Sequence, residues 1–136
     1  KPLAKIPLSS LISKVEDESI NKRELYDVQI PIYWGGPVDK NKILILHSKD
    51  YKNNSTKQYN KLSTSNDLET LVKIAEKKGP KKSLIVLGLS AWNIGQLDGE
   101  LEMERWTLSE SDIELIFDAE DKKKWQKAIK SSFIRL

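Results

Sequence analysis

The stretch that decides the fold reads Ser83-Leu84-Ile85-Val86-Leu87-Gly88-Leu89-Ser90-Ala91-Trp92-Asn93-Ile94-Gly95, then Gln96-Leu97-Asp98-Gly99-Glu100-Leu101-Glu102-Met103-Glu104-Arg105-Trp106. Leu84 to Leu87 form an unbroken apolar run, the mark of a strand buried on both faces. Gly88 is expected to end it. Ser90, Ala91 and Trp92 make a turn, and Gly95 opens a polar helix. Strand, turn and helix in that order put side chains at the C-terminal rim of a central strand, where open α/β sheets place their ligands.

Outward from this stretch, the best-marked helix lies just upstream. Leu68, Leu71, Val72 and Ala75 give it an apolar face. Ser65 or Asn66 is expected to cap it, with Glu69 closing a capping box on Asn66. Gly79-Pro80 is expected to end it, glycine for a left-handed cap and proline against continuation. Tyr59–Thr64 reads as a short strand, and residues 48–57 as a mobile polar loop. Ile43–His47 reads as a strand antiparallel to an earlier one over Val28–Trp34, because Gly35-Gly36-Pro37 joins them tightly. Pro31 makes that earlier strand an edge strand or a bulge. Residues 1–5 read as a loop or the tail of a missing element. Leu8, Leu11, Ile12 and Val15 follow a helical period, and residues 16–24 read as loop.

Downstream, residues 95–104 should be helical, with Leu97 and Leu101 facing the core. Residues 106–108 suggest one more strand, and residues 111–117 a brief helical turn. Asp118 should cap a last helix with Trp125, Ala128 and Ile129 buried. The order of elements is that of an α/β (α+β) domain, a mixed sheet with helices packed on it.

Composition narrows the function classes. At 136 residues the chain suits one domain with a real core. Charged residues make up 32%, against a usual share of about 25%. Twenty of the 23 bases are lysine, and the net charge is only +3. Without cysteine there is no disulfide or thiol chemistry, and with one histidine no zinc site is expected. No apolar run nears the roughly 20 residues of a membrane helix. No signal-peptide pattern is present, so the expectation is a cytoplasmic protein with no membrane partner.

An ordered set of short motifs resembles the AlgH/YqgE family of bacterial proteins. It runs through Tyr33-Trp34-Gly35-Gly36-Pro37-Val38, Leu46-His47-Ser48 and Ser63-Thr64-Ser65. It continues through Gly88-Leu89-Ser90-Ala91-Trp92, Gly95-Gln96-Leu97-Asp98-Gly99-Glu100, Trp106, Ile116-Phe117 and Lys124-Trp125. Ala91 and Gly99 depart from the family pattern. The resemblance implies one domain over residues 1–136, N-terminally incomplete because Lys1-Pro2-Leu3 falls inside a family motif. It also implies a strongly curved, partly barrel-like sheet flanked by helices. Some members are labelled transcriptional regulators, and the family supplies no catalytic residues to carry over.

The candidate site rests on the residues themselves. Gly88-Leu89-Ser90-Ala91-Trp92 approaches the hydrolase elbow Gly-x-Ser-x-Gly, but Trp92 stands at the final glycine. His47 precedes Ser90, and in a catalytic role it would need a partner within hydrogen-bond reach. Gln96, Glu100 and Glu104 share a helix face, which reads as a solvated acidic face before a metal site. No phosphate loop is present, and no cofactor is expected. Trp34 and Trp125 read as core residues and Trp92 as a site residue.

The expected ligand-binding set is His47, Ser63, Thr64 and Asp67 on one rim and Ser90, Trp92, Gln96 and Glu100 on another. Facing each other, the rims would make a polar pocket with an aromatic wall. Ser63, Thr64 and Asp67 would offer free helix N–H groups to an anion. The leading reading is therefore a regulatory or small-molecule-binding protein, not an enzyme. A hydrolase using residues 90–100 and a nucleic-acid binder are the alternatives. Scarce arginine and the lack of a helix-turn-helix pattern argue against sequence-specific DNA binding. Self-association through an exposed sheet edge is also expected.

Overall fold

A computed structural model describes residues 4–12 and 27–132. They divide into two compact units, one ending at Leu89 and the other beginning at Ser90.

The first unit is built on β6 (Ser83–Leu89), which lies between β2 (Gln29–Trp34) and β3 (Val38–His47). β1 (Ala4–Pro7), β5 (Ser63–Ser65) and β4 (Lys57–Gln58) complete a sheet of order β1-β2-β6-β3-β5-β4. Only β2 and β6 run parallel. This is the expected mixed α/β class, with an open sheet and not a closed barrel.

A row of isoleucines crosses the middle of the sheet. Ile32 pairs with Ile85, and Ile85 with Ile45. All three are buried, together with Ile30, Leu8 and Leu11 of α1 (Leu8–Ile12), and Leu71 and Val72 of α2 (Leu68–Ala75). Alternation sends Leu84 and Val86 to the opposite face, where they are only half-buried. So of the apolar run only Ile85 is fully buried, and β6 is not the strand buried on both faces that the run suggested.

Several expectations change. Ala4 and Lys5 belong to a strand, not a loop. Pro31 lies on an inner strand, not an edge. The Leu8 N–H donates to the Val28 carbonyl at 2.9 Å, which fixes the ladder phase between β1 and β2. In that phase Lys5 opposite Pro31 is a non-hydrogen-bonded pair, so the proline nitrogen points away from β1. Pairing with β6 begins one residue later, at Ile32. Pro7 has the same phase, so its missing N–H faces the outer edge of β1.

The two strands joined by Gly35-Gly36-Pro37 do not pair, because β6 lies between them. The turn crosses the end of β6: Gly35 N–H donates to the Leu87 carbonyl at 2.8 Å, and Val38 pairs with Leu89. Gly88 therefore sits inside the strand, at φ 73°, and does not end it. Built Cβ atoms would lie 2.0 Å from Gly88 O at Gly35, and 2.3 Å from Gly36 O at Gly88. Only hydrogen fits in either place.

α2 starts one residue later than expected. Asp67 caps it and Ser65 stays in β5. At the other end Lys77, not Gly79, takes the left-handed conformation. Gly79 serves close packing: a Cβ there would lie 3.0 Å from Ile74 N. Of the strand read over residues 59–64 only Ser63 and Thr64 are strand, in β5; β4 lies before that range, and Tyr59 N–H bonds to the Leu62 carbonyl in the turn between the two. Trp34 ends β2 at the rim and is 53% exposed, not core. Val15 and residues 16–24 lie outside the described residues.

The second unit holds α3 (Gln96–Glu102), a π-helical turn (Glu114–Asp118) and α4 (Asp121–Lys130). Residues 106–108 form no strand; the nearest pairing is one bridge, Ser109 to Ser132. Glu120 precedes α4 in the capping position expected of Asp118, and its carbonyl takes the Lys123 and Lys124 N–H groups. None of the described residues of this unit is fully buried. Leu97 is exposed, Leu101 half-buried, and Trp125 is 72% exposed. The expected core roles of these residues fail because α3 is short and α4 is half lysine, leaving narrow apolar strips. Among the described residues no helix is long and apolar enough to cross a membrane.

Candidate functional site

The eight expected site residues fall into two groups, one in each unit. The first group centres on His47, the last residue of β3, paired in register with Ser63 and Ser83. Its ring is fully buried. Nδ1 lies 2.8 Å from the Ser48 carbonyl, which can only accept, so Nδ1 donates. Nε2 lies 2.9 Å from Ser65 Oγ, and Tyr51 packs edge-on against the ring. Both nitrogens are committed to neighbours. Thr64 is buried in register between Leu46 and Lys57. Ser63 Oγ is buried with no hydrogen-bond partner among the described residues.

The chain of bonds continues from Ser65 Oγ to Thr56 Oγ1 at 2.9 Å, and from Thr56 to Asn53 Oδ1 at 3.1 Å. Asn53 Nδ2 donates to Asp67 Oδ2 at 2.8 Å. Asp67 also accepts from Thr70 N at 3.0 Å, Thr70 Oγ1 at 2.8 Å and Ser55 Oγ. The anion at this helix N-terminus is thus the chain's own Asp67. Burial raises its carboxyl pKa, but the bonds from Ser55, Thr70 and Asn53 together outweigh that and hold it below the usual value. The polar segment 48–57 is tied down, not a free loop. Its start is bound as well: Ser48 N–H donates to the Lys82 carbonyl, and Lys81 N–H to Asp50.

A cleft of about 180 Å³ opens beside Asp67. Leu11, Ile43, Leu68 and Leu71 line it with Asn41 and Asn66. That is below the roughly 300 Å³ at which small-molecule sites begin.

The second group is at the surface. Ser90 is exposed where the second unit begins. Glu100 Oε2 accepts from the indole N–H of Trp92 at 3.2 Å and of Trp106 at 2.7 Å. Gln96 Nε2 donates to Oε1 at 3.2 Å, and Gln96 Oε1 takes the Asn93 N–H at 3.0 Å. The indoles meet edge to face, 5.4 Å between centroids. Hydrogen bonds from Trp106 first, then Trp92, lower the Glu100 pKa, so the carboxylate stays charged. One carboxylate therefore clasps the turn before α3 to the segment after it.

Asn53, Ser55, Thr70 and Trp106 take part in these networks and were not among the expected residues. Asn53 carried a signal, an Asn-Asn-Ser run able to bind nearby backbone. Trp106 stood in the family-like motif set, but nothing tied it to Glu100, because their contact depends on how the chain leaves α3. Among the described residues no group of three His, Asp or Glu is placed to hold a metal ion.

A family model described as AlgH-like matches residues 1–136, the whole chain. The chain belongs to the AlgH-like family. A UPF0301 protein of Rickettsia canadensis (strain McKiel) is 40% identical to it over 126 residues, 92% of the chain and 64% of the relative. A UPF0301 protein of Rickettsia prowazekii (strain Madrid E) is 39% identical over 118 residues, 86% of the chain and 60% of the relative. The AlgH-like chain thus spans less than two-thirds of the length of these relatives. The solution structure of the AlgH protein from Pseudomonas aeruginosa superposes with a TM-score of 0.75 at 28% identity, covering 93% of this chain and 66% of that one.

Proposed function

We propose that this AlgH-like chain is a small cytoplasmic binding protein with a regulatory output, and that the Trp92–Glu100–Trp106 clasp, with Ser90 and Gln96, is the part that meets its ligand. The observation that carries this reading is a contrast. His47, Thr64 and Asp67 are spent on bonds and packing within the fold. Glu100 is bonded within the fold too, but the tryptophans it holds reach the surface, Trp92 half-buried and Trp106 48% exposed. Large aromatic area outside a core is what recognition surfaces use.

A thermal-shift screen of small metabolites tests it. A compound at a hundred times its Kd adds about 2.7 kcal/mol to the native state. At least one should raise the melting temperature of the parent protein, and Trp92→Phe, which removes the N–H but keeps an aromatic ring, should lose most of that shift. If no compound moves the parent, or the variant responds equally, the clasp is scaffold.

The regulatory output acts through a bound partner and not by reading DNA. Filter binding at about 150 mM salt should show only weak retention, indifferent to sequence. A tight, sequence-dependent complex would refute this part of the reading.

A further inference from the structure

Two helices of the second unit carry some charges at the wrong ends, although Asp98, Asp121, Lys127 and Lys130 stand at the favourable ones. α3 ends on Glu102, with Glu104 just beyond and no base in its last turn. Its C-terminus is the negative pole of its dipole, so these carboxylates want a cation from outside the helix. α4 begins with Asp121, but Lys122, Lys123 and Lys124 follow it at the positive pole. Lys123 and Lys124 find Glu120 and Asp121 at 3.0 and 3.7 Å. Among the described residues Lys122 and Lys130 make no ion pair, and neither do Asp98, Glu102 and Glu104.

The apolar strips match as well. On α3, Leu97 and Leu101 lie one turn apart beside Asp98 and Glu102. On α4, Trp125 and Ile129 lie one turn apart beside Lys122, and both are exposed. One strip is edged with acid, the other with base.

We infer that a second copy of this chain covers both, with α3 of each copy lying antiparallel along α4 of the other, Glu102 toward Lys122 and Asp98 toward Lys130. A two-fold arrangement forms the contact twice. Repetition matters because a stable interface buries roughly 1,200 Å² or more, beyond the reach of one crossing of two short helices. The helical period sets Asp98 and Glu102 on the side of α3 opposite Gln96 and Glu100, so the clasp stays free in the dimer. The sheet edges fit this role less well. β1 is four residues long with Lys5 and Pro7, and β4 is two residues with Lys57. Short strands with lysine and proline are features that oppose edge pairing.

Sedimentation velocity over a wide concentration range, at about 0.05 and about 0.5 M salt, tests the contact. The parent should dimerise at low salt and dissociate at high salt. Asp98→Lys with Glu102→Lys should be monomeric, as should Lys122→Glu with Lys130→Glu. Mixing the two monomeric variants should restore a dimer, because each then offers the charge the other lacks. Circular dichroism of each variant guards against misfolding. A parent that stays monomeric overturns the inference. So does a dimer that survives both sets of changes, which would place the contact elsewhere, for example on a sheet edge.

Discussion

Gly88→Ala should cost about 2–5 kcal/mol, from two causes that add. The left-handed conformation penalises a Cβ by about 1–2 kcal/mol. The methyl would also meet the Gly36 carbonyl oxygen at 2.3 Å and that of Val38 at 3.0 Å. Overpacking of this kind costs about 1–3 kcal/mol, and here the obstacle is backbone. The loss is a large share of the 5–15 kcal/mol that holds a typical domain. Two other glycines separate the causes. Gly95 has φ 78° but nothing within 4 Å, so Gly95→Ala should cost only the conformational share, about 1–2 kcal/mol. Gly99 is helical and open, so Gly99→Ala should stabilise by up to about 1 kcal/mol. Urea midpoints at unchanged slope give the ranking. A Gly88→Ala protein no weaker than Gly95→Ala would mean the turn over β6 can move aside.

The second large effect is at Asp67. Asp67→Ala removes a helix cap and the acceptor of bonds from Asn53, Ser55 and Thr70. A cap is worth about 1 kcal/mol and a bond to a charged group about 1.5–3. Asp67 is half-exposed, so the sum is discounted to about 2–3 kcal/mol. The pH dependence has a definite sign. The folded carboxyl titrates below its unfolded value, so folding favours the charged form. Its stability is complete above the unfolded pKa of about 3.9 and fades as pH falls through the folded value. The parent should therefore lose more stability on acidification than Asp67→Ala, and the gap between them should narrow. Parallel stability curves down to the acid limit would show that the charge is not what the network holds.

The parts of the fold that the sequence made legible were those driven by local pattern. The alternation Val28, Ile30, Ile32 and the run Leu84–Leu87 gave β2 and β6, and Leu68, Leu71 and Val72 gave the buried face of α2. Partnership was not legible. A tight Gly-Gly-Pro turn reads as a hairpin, and nothing local reveals that a later strand fits between its arms. The second unit misled for a related reason. Trp125 and Ile129 have helical core spacing, but spacing says only that a strip exists, not that anything faces it. At the candidate site, Gln96 and Glu100 were placed correctly one turn apart. The second tryptophan on Glu100 came from beyond the helix, where no periodicity reaches.

The insertion of β6 between β2 and β3 also orders events in time. In a chain made from its N-terminus, β2 and β3 are complete long before Ser83 emerges. Until then each waits with an unpaired edge, and the turn at Gly35-Gly36-Pro37 has to span a gap the width of one absent strand. The centre of the sheet therefore cannot close before Ser83–Leu89 is made, and contacts between residues so distant in sequence slow folding.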